Sequence, residues 1–151
     1  MKNNILEVSA IKDGTVIDHI PAGNLFKVIS ILRLEEIKET ITFGTNFQSK
    51  KLGKKAIIKL SNVFFKDSDI NRISLVAPEA KLNIIKDYKV VEKKIVEVPD
   101  EIQGIIKCVN PKCITNHEKI ITKFSLVDKK KIQLRCHFCE KITDPSLIEK
   151  I

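Results

Sequence analysis

Cys108-Val109-Asn110-Pro111-Lys112-Cys113 and, beyond the segment 114–135, Cys136-His137-Phe138-Cys139 hold every cysteine of this chain in two close pairs. Two thiolates on each of two short turns supply four soft ligands, the set a tetrahedral Zn²⁺ prefers, and both spacings are short enough to wrap one ion. Four cysteinates close the coordination sphere, so the ion is expected to be structural, with no position left for an activated water. A zinc hydrolase or deaminase needs a freed position, with His117 or His137 replacing a cysteine. A deaminase also needs an H-x-E ahead of P-C-x-x-C, which is missing. His137, between two ligands in a tight turn, is expected to face solvent. Disulfides fit poorly with a lysine-rich chain whose first residues, Met1-Lys2-Asn3-Asn4-Ile5, lack an apolar secretory stretch. A thioredoxin-like C-x-x-C leaves Cys108 and Cys113 idle.

Outward from that tail, 151 residues with 43% hydrophobic and 30% charged side chains describe a globular protein large enough for two small cores. No apolar run spans a membrane, and the expected location is cytoplasmic. The net charge of +8 invites a nucleic-acid reading, but the basic excess divides evenly between residues 1–100 and 101–151. There is no Trp, and Arg33, Arg72 and Arg135 are the only arginines, whereas strand stacking needs aromatics and base reading favours Arg.

Leu6 to Ile11 and Thr15 to Ile20 are β-rich and separated by the turn signal Lys12-Asp13-Gly14. Asn24 is an expected N-cap for a helix with Leu25, Val28, Ile29 and Leu32 at helical spacing, its face widened by Phe26 and Ile31. Ile41, Phe43, Thr45 and Phe47 alternate as a half-buried strand should, and a lysine-heavy loop, Ser49 to Lys55, leads to a strand from Ala56 to Leu60. Asp67-Ser68-Asp69 signals a second N-terminus, with Ile70, Ile73, Val76 and Ala77 following and Pro78 as the stop. Lys81 to Ile85 and Lys89 to Val98 are extended.

The order strand, helix, strand, strand, helix, strand predicts an α+β fold: a ferredoxin-like βαββαβ sheet with two helices on one face over residues 1–98. The interruption at Val98-Pro99-Asp100-Glu101 sets off a small antiparallel β zinc-binding domain over 99–151, with strands expected at Ile105 to Cys108, Ile120 to Val127 and Ile132 to Cys136. Alone it buries too little to stand without its ion.

The first domain offers no nucleophile beside a base. Asp18 and His19 are its one acid and histidine neighbour pair, and consecutive strand residues point to opposite faces. No G-x-G-x-x-G or Walker loop is present. Lysines are more suggestive: Lys55 and Lys59, and Lys89 and Lys93, are four apart and share a strand face, from which two strands can converge on a phosphate chain.

Gly14-Thr15-Val16-Ile17-Asp18-His19-Ile20-Pro21-Ala22 with Ala10-Ile11-Lys12 before it, Gly53-Lys54-Lys55-Ala56-Ile57-Ile58-Lys59-Leu60-Ser61-Asn62, Ala77-Pro78-Glu79-Ala80 with Asn83, and the cysteine pattern ending Cys139-Glu140-Lys141 resemble the regulatory chain of aspartate carbamoyltransferase. The likeness runs through nearly the whole chain. It implies a non-catalytic subunit in pyrimidine biosynthesis that binds CTP, UTP and ATP, the first inhibiting, the second assisting it and the third activating. Such a subunit pairs as a homodimer and joins separate catalytic chains, three regulatory pairs linking two catalytic trimers.

Carried over position by position, the resemblance implies effector contacts at Ala10, Ile11, Val16, Asp18, His19, Lys59, Asn83, Ile85, Tyr88, Val90 and Lys93. Metal ligation falls to Cys108, Cys113, Cys136 and Cys139, and contact with the catalytic chain to Asn110 and Glu140. Lys59 and Lys93 suit phosphates and ribose, His19 the α-phosphate, and Asp18 a donor on base or sugar. Two positions depart from the family pattern: Ser9, where an acid is frequent, and Lys112, where asparagine is frequent. The alternative from the residues alone is a nucleic-acid-binding zinc ribbon on a ferredoxin-like domain.

Overall fold

Alternation along three strands decides how the N-terminal half packs. In the computed structural model, which describes residues 10–144 and the strand Glu149–Lys150, Ile17 and Ile20, Ala56, Ile58 and Leu60, and Leu82 and Ile84 are buried. Residues two apart share a strand face, and the bulge between Ile17 and Ile20 brings those two into phase opposite Ile58 and Ala56, so these side chains form one apolar surface. Leu25, Val28 and Ile31 from one helix, and Ile70 and Ile73 from a second helical segment, join them in the core. Burial of each such side chain contributes roughly 1.5–3 kcal/mol.

The elements in chain order are β1 (Gly14–Pro21), α1 (Leu25–Ile31), β2 (Ile41–Ser49), β3 (Gly53–Ser61), α2 (Asp67–Ile70), β4 (Lys81–Lys86) and β5 (Lys89–Ile95). They form an antiparallel sheet ordered β2-β3-β1-β4-β5. Four strands and two helical crossovers reproduce the expected βαββαβ arrangement, and the β4–β5 hairpin adds a fifth strand at the edge.

Gly14 is required where it stands. Its φ is +142°, and a Cβ there would lie 2.0 Å from the Leu60 carbonyl oxygen. The turn before it is held by the Asn62 amide donating to the Asp13 carbonyl at 2.9 Å.

Several local expectations are corrected. Asn24 does precede α1 but makes no side-chain cap bond; its amide instead donates to the Val76 carbonyl at 2.7 Å, joining the two helical segments. Phe26 is 70% exposed rather than part of the buried face, because the inward stripe runs through Leu25, Val28 and Ile31. The strict alternation expected of β2 breaks at a bulge between Gly44 and Phe47, where Asn46 has φ +67°, and Phe43 is exposed. The second helix is a single turn followed by the 3₁₀ segment Asn71–Leu75, without a side-chain cap. β5 ends at Ile95, and Val96 turns into the core. Of the strand read from Leu6 to Ile11, the part before Ala10 lies outside the described residues, and Ala10 and Ile11 are not in a strand.

Glu97 begins the passage to the tail. Its amide donates to Asn71 Oδ1 at 3.0 Å, which ties the departing chain to the helical side of the sheet. β6 (Glu101–Gln103), β7 (Ile106–Lys107), β8 (Lys123–Asp128), β9 (Gln133–Cys136), β10 (Ile142–Thr143) and β11 (Glu149–Lys150) follow. Four of them form an antiparallel sheet, β10-β9-β8-β6, while β7 pairs with β11. Glu101, placed in the interruption by sequence, already pairs with Ser125, and β8 begins at Lys123 rather than Ile120, leaving Ile121 exposed. Phe124, Leu134, Ile102 and Ile106 are its buried centre, and the Thr122 hydroxyl donates to the Ile106 carbonyl at 2.7 Å. Among the described residues no helix is long and apolar enough to cross a membrane.

Gly14→Ala forces both the close approach and the positive φ, so urea unfolding should show a loss of about 2 kcal/mol or more. Gly23→Ala, with open space around it, should be near neutral in the same measurement.

Candidate functional site

Two groups of side chains carry chemistry. The first is the sulfur cluster. Cys108, Cys113 and Cys136 are buried and Cys139 half-buried; all four are free thiols whose Sγ atoms lie within 4.8 Å of one another. Cys108 and Cys139 are 3.6 Å apart, and Cys113 and Cys136 3.7 Å. A tetrahedral ion with metal–sulfur bonds of about 2.3 Å needs sulfurs about 3.8 Å apart. The cluster therefore fits one metal ion with a closed, structural coordination sphere.

Backbone hydrogen bonds shape both turns. The Cys113 amide donates to the Asn110 carbonyl at 3.0 Å and the Lys112 amide to Asn110 Oδ1 at 3.0 Å. In the second turn the Glu140 amide reaches the Cys136 carbonyl at 2.9 Å, with Glu140 at φ +63°, and the Cys136 amide reaches the Lys141 carbonyl at 3.0 Å. Asn116, not singled out by sequence, donates to both the Cys108 carbonyl at 3.0 Å and the Asn110 carbonyl at 2.7 Å. Its short polar side chain in an ST/N-rich turn was the available signal. His137 is exposed, stacked edge-on against Phe138, and His117 is exposed with Nε2 2.8 Å from the Pro111 carbonyl oxygen.

Burial pushes the Cys108 thiol up to about 12 and raises Cys136. At Cys139 burial also pushes upward, but hydrogen bonds with the Asn110 side chain, the Lys141 backbone and the Cys108 and Cys136 sulfurs together outweigh it and bring the thiol down to about 7.

The second group lies on the sheet face turned away from the helices. Val16 pairs with Lys59 on one side and Asn83 on the other, Lys59 pairs with Thr42, and Asn83 with Lys93. Antiparallel partners share a face, so Thr42, Lys59, Val16, Asn83 and Lys93 form one row across all five strands. The next row joins Gly14, Ile85 and Val90. Ile85 is buried, Val16, Lys59 and Asn83 are half-buried, and Lys93 and Val90 are exposed. Burial lowers the Lys59 pKa, with Asp18 acting in the opposite direction.

Asp18 and His19 sit at a bulge in β1. His19 has φ +61°, so the expectation that the pair points to opposite faces fails. The imidazole Nδ1 is 3.6 Å from Asp18 Oδ2, and the His19 amide donates to Asp18 Oδ1 at 2.6 Å. Lys55, outside the effector set read from sequence, is 3.1 Å from the Asp18 carboxylate. Ala10 and Ile11 are brought toward Tyr88 by two turns that grip each other. The Tyr88 amide donates to the Lys12 carbonyl at 2.9 Å and the Asp87 amide to Asp13 Oδ1 at 3.0 Å. Ser9 lies outside the described residues.

Comparison with known proteins accords with this geometry. Residues 6–97 match the family model described as the aspartate carbamoyltransferase regulatory chain, allosteric domain, and residues 100–149 its metal binding domain. The aspartate carbamoyltransferase regulatory chain of Bacteroides fragilis is 59% identical over 136 residues, covering 90% of this chain and 89% of that one. The corresponding chain of Parabacteroides distasonis is 51% identical over 150 residues, 99% of this chain and 97% of that one. That of Pyrococcus abyssi is 54% identical over 138 residues, 90% and 91% respectively.

Cobalt titration of the metal-free chain should give the charge-transfer absorption of four thiolates per ion, and Cys136→Ser should reduce it. Because each thiol must lose its proton to bind, and Cys108 is pushed up to about 12 in the metal-free cluster, binding should release protons and weaken as pH falls. Titration calorimetry in buffers of different ionisation enthalpy measures this directly.

Proposed function

The chain belongs to the family of aspartate carbamoyltransferase regulatory chains, and from that premise we propose that it is the nucleotide-sensing, non-catalytic subunit of that enzyme in cytoplasmic pyrimidine biosynthesis. Residues 1–98 bind the effectors CTP, UTP and ATP, and residues 99–151 hold Zn²⁺ and dock to the catalytic chain. The observation that carries this proposal is the row through Lys59, Val16, Asn83 and Lys93. Two ammonium groups flank an amide and an apolar side chain on an uncovered sheet face, which suits a phosphate chain at the cations and a base against Val16, Ile85 and Val90. Ala10, Ile11 and Tyr88 close one end, and Asp18 and His19 the other.

Zn²⁺ at Cys108, Cys113, Cys136 and Cys139 is favoured by an all-sulfur tetrahedral ligand set. It holds the two turns that present Asn110 and Glu140, the contacts proposed for the catalytic chain. A cleft of about 500 Å³ lined by Val109, Lys141 and Thr143 adjoins them and has room for a partner's side chain.

Homodimerisation is supported by the contrast between the two sheet edges. β5 carries Lys89, Glu92, Lys93 and Lys94, whereas β2 carries no charge and exposes Phe43, which meets exposed Phe26 edge-on at 6.2 Å. A long uncharged edge is a template for pairing with a second copy. A nucleotide bound here touches no active site in another chain. It acts by binding the alternative quaternary states with unequal affinity.

The test is co-purification with an aspartate carbamoyltransferase catalytic chain, followed by aspartate-dependent activity with and without each nucleotide. CTP should lower that activity, and random DNA or RNA should not bind at physiological salt. Lys59→Ala should weaken CTP binding roughly tenfold or more, by loss of a charge-assisted bond. Stripping zinc with a chelator or mercurial should separate regulatory from catalytic chains in sedimentation, and a complex that survives zinc removal refutes the docking role.

A further inference from the structure

The sheet register places one more cation on the proposed effector face. Lys81 opens β4, pairs with Asp18 on β1 and with Ile95 on β5, and so shares the face of Asp18 and Asn83. The opposite parity confirms the direction. Ile17, Leu82 and Lys94 form the adjacent row; the first two are buried in the core, and Lys94 reaches Asp67 at the start of α2, 3.0 Å away. Lys81 therefore points away from the helices, where it is exposed.

Its surroundings leave its charge available. The facing carboxylate, Asp18, is already engaged by Lys55 at 3.1 Å and by the His19 amide at 2.6 Å, and no carboxylate among the described residues comes within 4.0 Å of the Lys81 ammonium. Lys93 stands opposite Asn83, two residues along from Lys81, which makes the two lysines diagonal neighbours about 7–8 Å apart at the backbone. Two flexible ammonium arms at that spacing can close on one phosphate group from either side.

We propose that Lys81 is a phosphate-binding residue that, with Lys93, makes this face selective for nucleoside triphosphates over monophosphates. It rests on the assignment of the face to effector nucleotides and adds to that assignment the feature of the ligand being read. Lys59 and His19 serve the nearer phosphate and sugar, and Lys81 meets the far end of the chain.

Calorimetric titration of the full metal-loaded chain with CTP and, separately, CMP tests this in the wild type, Lys81→Gln and Lys81→Arg. Lys81→Gln should weaken CTP roughly tenfold or more, the cost of one charge-assisted bond, and leave CMP unchanged. Lys81→Arg should keep most of the CTP affinity. Equal weakening of CTP and CMP, or none of either, overturns the role of Lys81 while the face remains a nucleotide site. A wild-type chain that takes up neither nucleotide overturns both.

Discussion

The antiparallel register through Val16 is the constraint on which the N-terminal half depends. Once Val16 faces Lys59 and Asn83, Ile17 must face Ile58 and Leu82, because side chains alternate strictly across a strand. The same pairing thus decides which residues make the core and which stand in the polar row on the other side. A slip of one residue would bury Lys59 and Asn83 against Leu25 and Ile73 and expose Ile58 and Leu82. Gly14 secures the register at one end, since only a residue without a side chain can approach the Leu60 carbonyl so closely.

The tail obeys a different rule. Its sheet is short, and its buried centre of Phe124, Leu134, Ile102 and Ile106 is small, so the four sulfurs do work that a larger core does elsewhere. Metal ligation, the Asn116 bridge between two carbonyls and the Glu140 turn all converge within a few residues of Asn110 and Glu140. The regularity of that surface is a property of the ion as much as of the chain.

Much of this was legible in the sequence, and the physical reason is that period and spacing are local. The four cysteines, the alternating β3 run and the helical spacing of Leu25 and Val28 each state their role within a few residues. What was hidden depends on pairing. The bulge that turns His19 beside Asp18, the Lys55 contact with the same carboxylate and the five-residue row exist only once strands distant in sequence are aligned. Caps failed for the same reason: Asn24 had a better partner in Val76, 52 positions away, than in its own helix. Phe26 and Phe43 carry helix-like and strand-like apolar signals, yet both point outward, because the inward positions were already taken by Leu25, Val28 and Ile58.

Lys93 and Glu97 are four positions apart in the chain, one in the polar row of the sheet and the other anchored through its amide to Asn71 on the helical side. An extended chain rises about 3.3 Å per residue, so at most about 13 Å of backbone lies between them, and β5 gives way after Ile95 to the turn that buries Val96. So short a passage leaves little slack between the open face of the sheet and the Asn71 anchor on its helical side.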